Sequence, residues 1–101
     1  MKKRQILVIG NNDNGCTPES EKIAYELGSE VAKSNSVLIT GGLGGVMRAA
    51  CHGAQKSGGI TVGIIPQDNS SHANEFCDIV IPSGMGLTRD FLNALSADGV
   101  I

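Results

Sequence analysis

The chain alternates short, unbroken apolar runs with longer segments whose apolar residues recur at helical spacing. The run at 5–9 ends at Gly10, and such a stretch predicts a strand covered on both faces. A polar loop at 11–16 follows. Thr17 and Pro18 then supply an N-cap and a first-turn proline, and Glu19 and Glu21 place negative charge where a helix dipole favours it. Ile23, Leu27 and Val31 recur every four residues with Ala24 beside them, which predicts an amphipathic helix packed on the sheet along that stripe. Residues 36–40 predict the second strand. A helix is expected at 46–56, with Val46, Met47, Ala50, Cys51 and Ala54 facing inward and Gly58-Gly59 as its C-terminal stop. The run at 60–65 is the third strand, closed by Pro66, and 79–81 is the core of the fourth. A further helix bearing Phe91, Leu92 and Leu95 follows Ser83, Gly84, Met85 and Gly86. Asp98-Gly99 is a turn signal, and Val100-Ile101 opens a fifth strand that the sequence cuts short. Strand and helix alternate without a hairpin signature, so the expected class is α/β, a doubly wound, mostly parallel sheet with right-handed crossovers.

Composition narrows this picture. With 101 residues the chain is expected to be one domain, 1–101. Its aromatics are Tyr25, Phe76 and Phe91, so the core is aliphatic and stacking platforms for single-stranded nucleic acid are lacking. The net charge is −2, and the one basic cluster, Lys2-Lys3-Arg4, reads as a solvated terminal flank. No nucleic-acid partner and no membrane association are expected, since the apolar run at 6–9 is far shorter than a span. The three cysteines lack CxxC spacing, and reduced thiols fit a soluble, cytoplasmic protein. Cys51-His52 invites a metal or nucleophile reading, but helix neighbours point about 100° apart, so a core cysteine beside a surface histidine is expected instead. His72 reads as a solvated loop residue.

The candidate chemistry lies in the loops. In an open parallel sheet, ligands bind beyond the carboxyl ends of the strands, and four loops, 10–16, 40–45, 67–74 and 83–86, fall on that edge. Thr40, Gly41, Gly42, Gly44 and Gly45 form a glycine cluster leading into a helix, the kind of loop that brings backbone N–H groups to a phosphate. Gly10, Asn11 and Asn12 do the same after the first strand. Neither loop is the dinucleotide GxGxxG or the P-loop, and glycine loops also serve plain packing. Arg89 is expected in the first turn of the helix after the fourth strand, where it either holds a phosphate or a ribose hydroxyl or forms a surface ion pair. Asp90 beside it reads as a favourable first-turn charge.

The motifs Leu-Ile-Thr-Gly-Gly-Leu-Gly-Gly-Val-Met at 38–47, Gly-Ile-Ile-Pro at 63–66, Asn-Glu-Phe-Cys-Asp-Ile-Val-Ile-Pro at 74–82 and Gly-Leu-Thr-Arg-Asp at 86–90 carry a resemblance over the whole chain. It resembles the Rossmann-like family that groups molybdenum cofactor carrier proteins, DNA-processing protein A and the Lonely Guy phosphoribohydrolases. The resemblance implies a nucleotide or nucleotide-derived ligand, a small phosphorylated molecule such as a nucleoside monophosphate or a molybdopterin-type compound, with no cofactor required. It also implies a homo-oligomer. Arg89 matches the arginine that acts in the Lonely Guy enzymes. Their PGGxGTxxE motif, expected directly after Ile101, is not in this sequence, so the resemblance implies the N-terminal portion of a longer chain, with phosphoribohydrolase activity or a non-catalytic assembly role as the alternatives.

Overall fold

The computed structural model describes residues 3–10, 12–86 and 97–101. Five strands, β1 (Gln5–Leu7), β2 (Val37–Thr40), β3 (Thr61–Ile65), β4 (Ile79–Pro82) and β5 (Gly99–Val100), form one sheet in the order β4-β3-β2-β1-β5. Every pairing is parallel. Helices α1 (Pro18–Lys33) and α2 (Val46–Lys56) occupy the β1–β2 and β2–β3 connections, and a 3-10 turn, Ser70–His72, lies between β3 and β4. This is the α/β Rossmann-like class expected from the alternation. The helix expected to bear Phe91, Leu92 and Leu95 lies outside the described residues.

Local chemistry explains the boundaries. Thr17 caps α1 by accepting from Ser20 N at 3.1 Å, with Pro18 in the first turn. Both helices end in the same backbone motif. At α2, Gly58 at φ 76° donates to Gln55 O (3.0 Å) and Gly59 to Ala54 O (2.9 Å). At α1, Asn35 at φ 60° stands where α2 uses glycine, donating to Ala32 O (3.0 Å) while Ser36 reaches Val31 O (3.2 Å). This paired closure satisfies carbonyls that a helix end otherwise leaves open. It consumes Ser36, so β2 begins at Val37. β1 is assigned only to Leu7, yet its ladder runs on, with Val8 N donating to Ile39 O (3.0 Å) and Ile9 N to Ile101 O (3.1 Å).

The sheet buries residues on both faces. On the helix face, Val8, Ala24, Val31, Leu38, Ala50, Cys51 and Ala54 form one core cluster; on the other, Leu7, Ile39 and Ile64 form a second, with Val62 and Ala97 against it. One expectation is corrected. Ile23 does not face the sheet: it is 65% exposed, and α1 buries Ala24, Gly28 and Val31 instead. The cause is the contact between helices. A Cβ on Gly28 would lie 1.9 Å from Ala50 O, and one on Gly53 would lie 1.9 Å from Tyr25 O. The two helices meet backbone to backbone through these glycines, and α1 turns its small-residue side inward to allow it. Ile9, expected to be covered, is likewise 62% exposed at the carboxyl edge.

Candidate functional site

β1 to β4 step across the sheet in one direction, and β5 returns to the far side of β1. In such a sheet the ligand edge is the carboxyl end of the strands. Here the loops after β1, β2 and β3 converge on that edge around the start of α2.

The glycine loop is held from beneath. Thr40, fully buried, accepts from Gly42 N at 3.0 Å and lies 3.4 Å from Cys51 Sγ. Its hydroxyl therefore shapes the turn from within the core. Gly42 at φ 77° has no room for a side chain, since a Cβ would meet Ile65 Cγ2 at 2.5 Å. Gly45, at φ 59° and ψ −127°, is the N-cap of α2, a conformation open to glycine alone. From above, Gly44 N donates to Asn12 Oδ1 (3.0 Å) and Gly45 N to Asp13 Oδ1 (2.8 Å). Gly10 lets its strand end pass over α2, because a Cβ there would sit 2.5 Å from Val46 Cγ1. The structure thus brings Gly10, Asn12, Gly42, Gly44 and Gly45 together, with Thr40 and Gly41 buried below them. Asn11 and Arg89 lie outside the described residues.

Residues not singled out from sequence complete the site. Asn74 braces the glycine loop, donating through Nδ2 to Leu43 O (2.8 Å) and through its backbone N to Gly42 O (2.8 Å). Arg48 stands in the first turn of α2, where the helix dipole disfavours a cation. It pairs with Glu75, and its Cζ lies 4.8 Å from the Phe76 ring centroid. Gln67 Oε1 is buried and has no hydrogen-bond partner among the described residues. Asn12, Asp13, Gly44, Arg48, Gln67 and Asn74 all border one open cavity of about 490 Å³, in the size range of small-ligand sites.

The Cys51-His52 pair resolves as core and cluster. Cys51 is fully buried, whereas His52, expected on the surface, is half-buried. Its ring stacks on Phe76 (4.1 Å between centroids, 11°) and meets Tyr25 edge-on (5.2 Å, 84°). The aromatic residues nearby, few as they are, draw it inward. Among the described residues, no group of three or more His, Cys, Asp or Glu side chains is placed to hold a metal ion. No described helix is long and apolar enough to cross a membrane.

A parallel sheet with helices in its crossovers and an open cavity beside the glycine loop at its carboxyl edge defines the α/β Rossmann-like class. Within that class the chain belongs to the SLOG cluster4 family, whose profile matches residues 3–101. It is 43% identical over its whole length to an uncharacterized protein of Archaeoglobus fulgidus, covering 65% of that protein. Among solved structures it is similar to the molybdenum cofactor binding protein of the phototrophic bacterium Rippkaea orientalis, with 42% identity and a TM-score of 0.95 over 99% of this chain and 61% of that one. The Moco carrier protein of Chlamydomonas reinhardtii gives 35% identity and a TM-score of 0.88 over 98% of this chain and 60% of that one. The kinship with molybdenum cofactor carriers implied by the motifs is therefore established for fold and family. The chain spans about three fifths to two thirds of the length of these relatives.

Proposed function

We propose that this domain binds a molybdopterin-type ligand, a phosphorylated pterin, in the cavity between the glycine loop, Arg48 and Gln67. The observation that carries the reading is the buried Gln67 Oε1, without a partner among the described residues, in a residue that borders the same cavity as Gly44 and Arg48. A buried acceptor without a donor is costly, and a ligand amine or ring N–H would relieve it. At the opposite chemical end, a phosphate suits the N–H groups at the start of α2 and the Arg48 guanidinium. The residues therefore fit both ends of such a ligand. The similarity to a molybdenum cofactor binding protein and a Moco carrier protein supports the same class. A nucleoside monophosphate offers the same two ends and is the competing ligand. A homo-oligomeric state and a cytoplasmic location belong to this proposal, and light scattering on the purified chain tests the first.

Calorimetric titration with freshly prepared metal-free molybdopterin, AMP and inorganic phosphate is the direct test. The pterin is expected to bind more tightly than either of the others. Arg48→Ala should cost about 1.5–3 kcal/mol of binding, the worth of a hydrogen bond to a charged group. Equal affinity of wild type and Arg48→Ala for the pterin, or tightest binding of AMP with release of free adenine, would overturn the assignment.

A further inference from the structure

We propose that the groove between the starts of α1 and α2 is a second subsite of the same ligand, seating a purine base, guanine by preference, joined to the pterin through a pyrophosphate. Asp13 and Arg48 border both this groove, of about 350 Å³, and the cavity that Gln67 borders. Gly45 lines the one and Gly44 the other, so the two meet at the start of α2. A ligand anchored there by an anion has two directions in which to extend. The groove is itself in the size range of small-ligand sites.

Its walls differ in chemistry from those of its neighbour. They carry two half-buried rings, Tyr25 of α1 and His52 of α2, whose centroids lie 5.2 Å apart at 84°. The rings make a corner: a planar base laid against one turns its edge toward the other. Phe76, which does not line the groove, fixes His52 in that corner by stacking on it at 4.1 Å and 11°. Arg48 lies over the same Phe76 ring, its Cζ 4.8 Å from the centroid, so the base wall and the guanidinium share one support.

The charges at the rim fit a nucleotide. Lys22 and Arg48 supply cations for two phosphates, and both helices begin here with ends that favour anions. Glu21, exposed in the first turn of α1, offers an acceptor-only carboxylate. Guanine meets it with two donors on one edge, the ring N–H and the exocyclic amine, whereas adenine has only its amine. Asp13, which holds Gly45 N, stands between the cavities, so its displacement by phosphate also opens one to the other.

The base subsite stands on the walls of the groove, while joining the base to a pterin rests on the reading of the neighbouring cavity given above. GDP, ADP, inorganic pyrophosphate, and metal-free molybdopterin with and without its guanine nucleotide are titrated calorimetrically into wild type, Tyr25→Leu and Glu21→Gln. GDP is expected to bind about tenfold more tightly than pyrophosphate, the order of stacking one base, and several-fold more tightly than ADP. Tyr25→Leu should weaken GDP by about 5- to 100-fold and leave pyrophosphate and the bare pterin unchanged. Glu21→Gln should erase the preference for GDP over ADP. The dinucleotide should bind more tightly than GDP or the bare pterin. Because Tyr25 is half-buried, melting temperatures are read beside the titrations, and NOEs between guanine H8 and the Tyr25 ring report the contact in the unaltered protein. GDP no tighter than pyrophosphate, or GDP binding indifferent to both substitutions, would overturn the base subsite. A dinucleotide no tighter than the bare pterin would overturn the junction. GDP bound as expected without any binding of the bare pterin would uphold the base subsite and overturn the pterin reading together with the junction.

Discussion

On the proposed ligand assignment, Asp13 is the competitor of an incoming phosphate for one backbone donor, the Gly45 N–H. The carboxylate accepts from Gly45 N at 2.8 Å and fills the space where Gly44 lacks a side chain, its three carboxyl atoms 2.5–2.6 Å from where a Cβ would stand. Asp13 is itself exposed, so displacing it requires only a turn of the side chain into water. Asp13→Ala removes the competitor and its like charge, an interaction of about 1 to 4 kcal/mol at 4 Å between bulk water and a protein surface. Losing a cap of this kind costs about 0.5–2 kcal/mol of stability. The expected outcome is a lower melting temperature together with several-fold tighter binding of a phosphorylated ligand, read by calorimetry on the variant; weaker binding would make Asp13 part of the seat rather than its occupant. The glycine cluster was legible at this scale because its spacing is local. Asp13, Arg48 and Asn74 were not, since what each does depends on which loops the topology brings together.

At the scale of elements, the contact between α1 and α2 decides more than either helix does alone. Gly28 and Gly53 each sit 1.9 Å, measured from an added Cβ, from a carbonyl oxygen of the facing helix. Alanine has the better helix propensity by about 1 kcal/mol, so an isolated helix would gain from Gly→Ala. Here the methyl meets backbone, which cannot swing aside, and overpacking of about 1–3 kcal/mol or more wins. Gly53→Ala is therefore expected to lower the melting temperature by roughly 4–8 °C for each kcal/mol lost. Gly58→Ala offers the contrast. Nothing lies within 4 Å of its Cβ, so its cost comes only from φ 76° and should be about 1–2 kcal/mol. Thermal melts of the two variants separate these causes; a stabilised Gly53→Ala would mean that the helices part easily. The N-cap and first-turn proline of α1 and the glycine stop of α2 could be read from the sequence, whereas the Asn35 closure of α1 was not foreseen. Of the inward face of α1, Ala24, Leu27 and Val31 were read correctly; Ile23 was not, and Gly28 was missed, because only the approach of α2 shows why the helix turns toward its small residues.

Over the whole molecule, the alternation of runs foretold a parallel sheet, but the strand order depends on where β5 returns, and no local pattern records that. Its place beside β1 is fixed by a device repeated at both edges of the sheet. Asp98, directly before β5, donates its N to Gln5 O (2.7 Å) and accepts Gln5 N on Oδ2 (2.8 Å). Asp78, directly before β4, donates its N to Thr61 O (3.1 Å) and accepts Thr61 N on Oδ2 (3.0 Å). Each outer strand thus enters the sheet by clasping the first residue of its inner neighbour, and the aspartate sets the register of everything that follows. From sequence, Asp98-Gly99 read only as a turn, because the partner of the clasp is 93 residues away. Both carboxylates are exposed, so each contact should contribute toward the low end of the range for a hydrogen bond to a charged group, about 1.5 kcal/mol. The clasps stand on opposite edges and share no partner, and distant substitutions add to within about 0.3–0.5 kcal/mol. Urea unfolding of Asp78→Ala, Asp98→Ala and the double variant is expected to show two comparable losses and their sum. The Asp98→Ala protein should also show faster amide exchange at Leu7 and Ile9 than at Ile64, since only the β1 edge is loosened. A double variant much less stable than the sum would mean that the two edges communicate through the sheet, and an Asp98→Ala protein with unchanged exchange at β1 would mean that β5 is held by its apolar contacts alone.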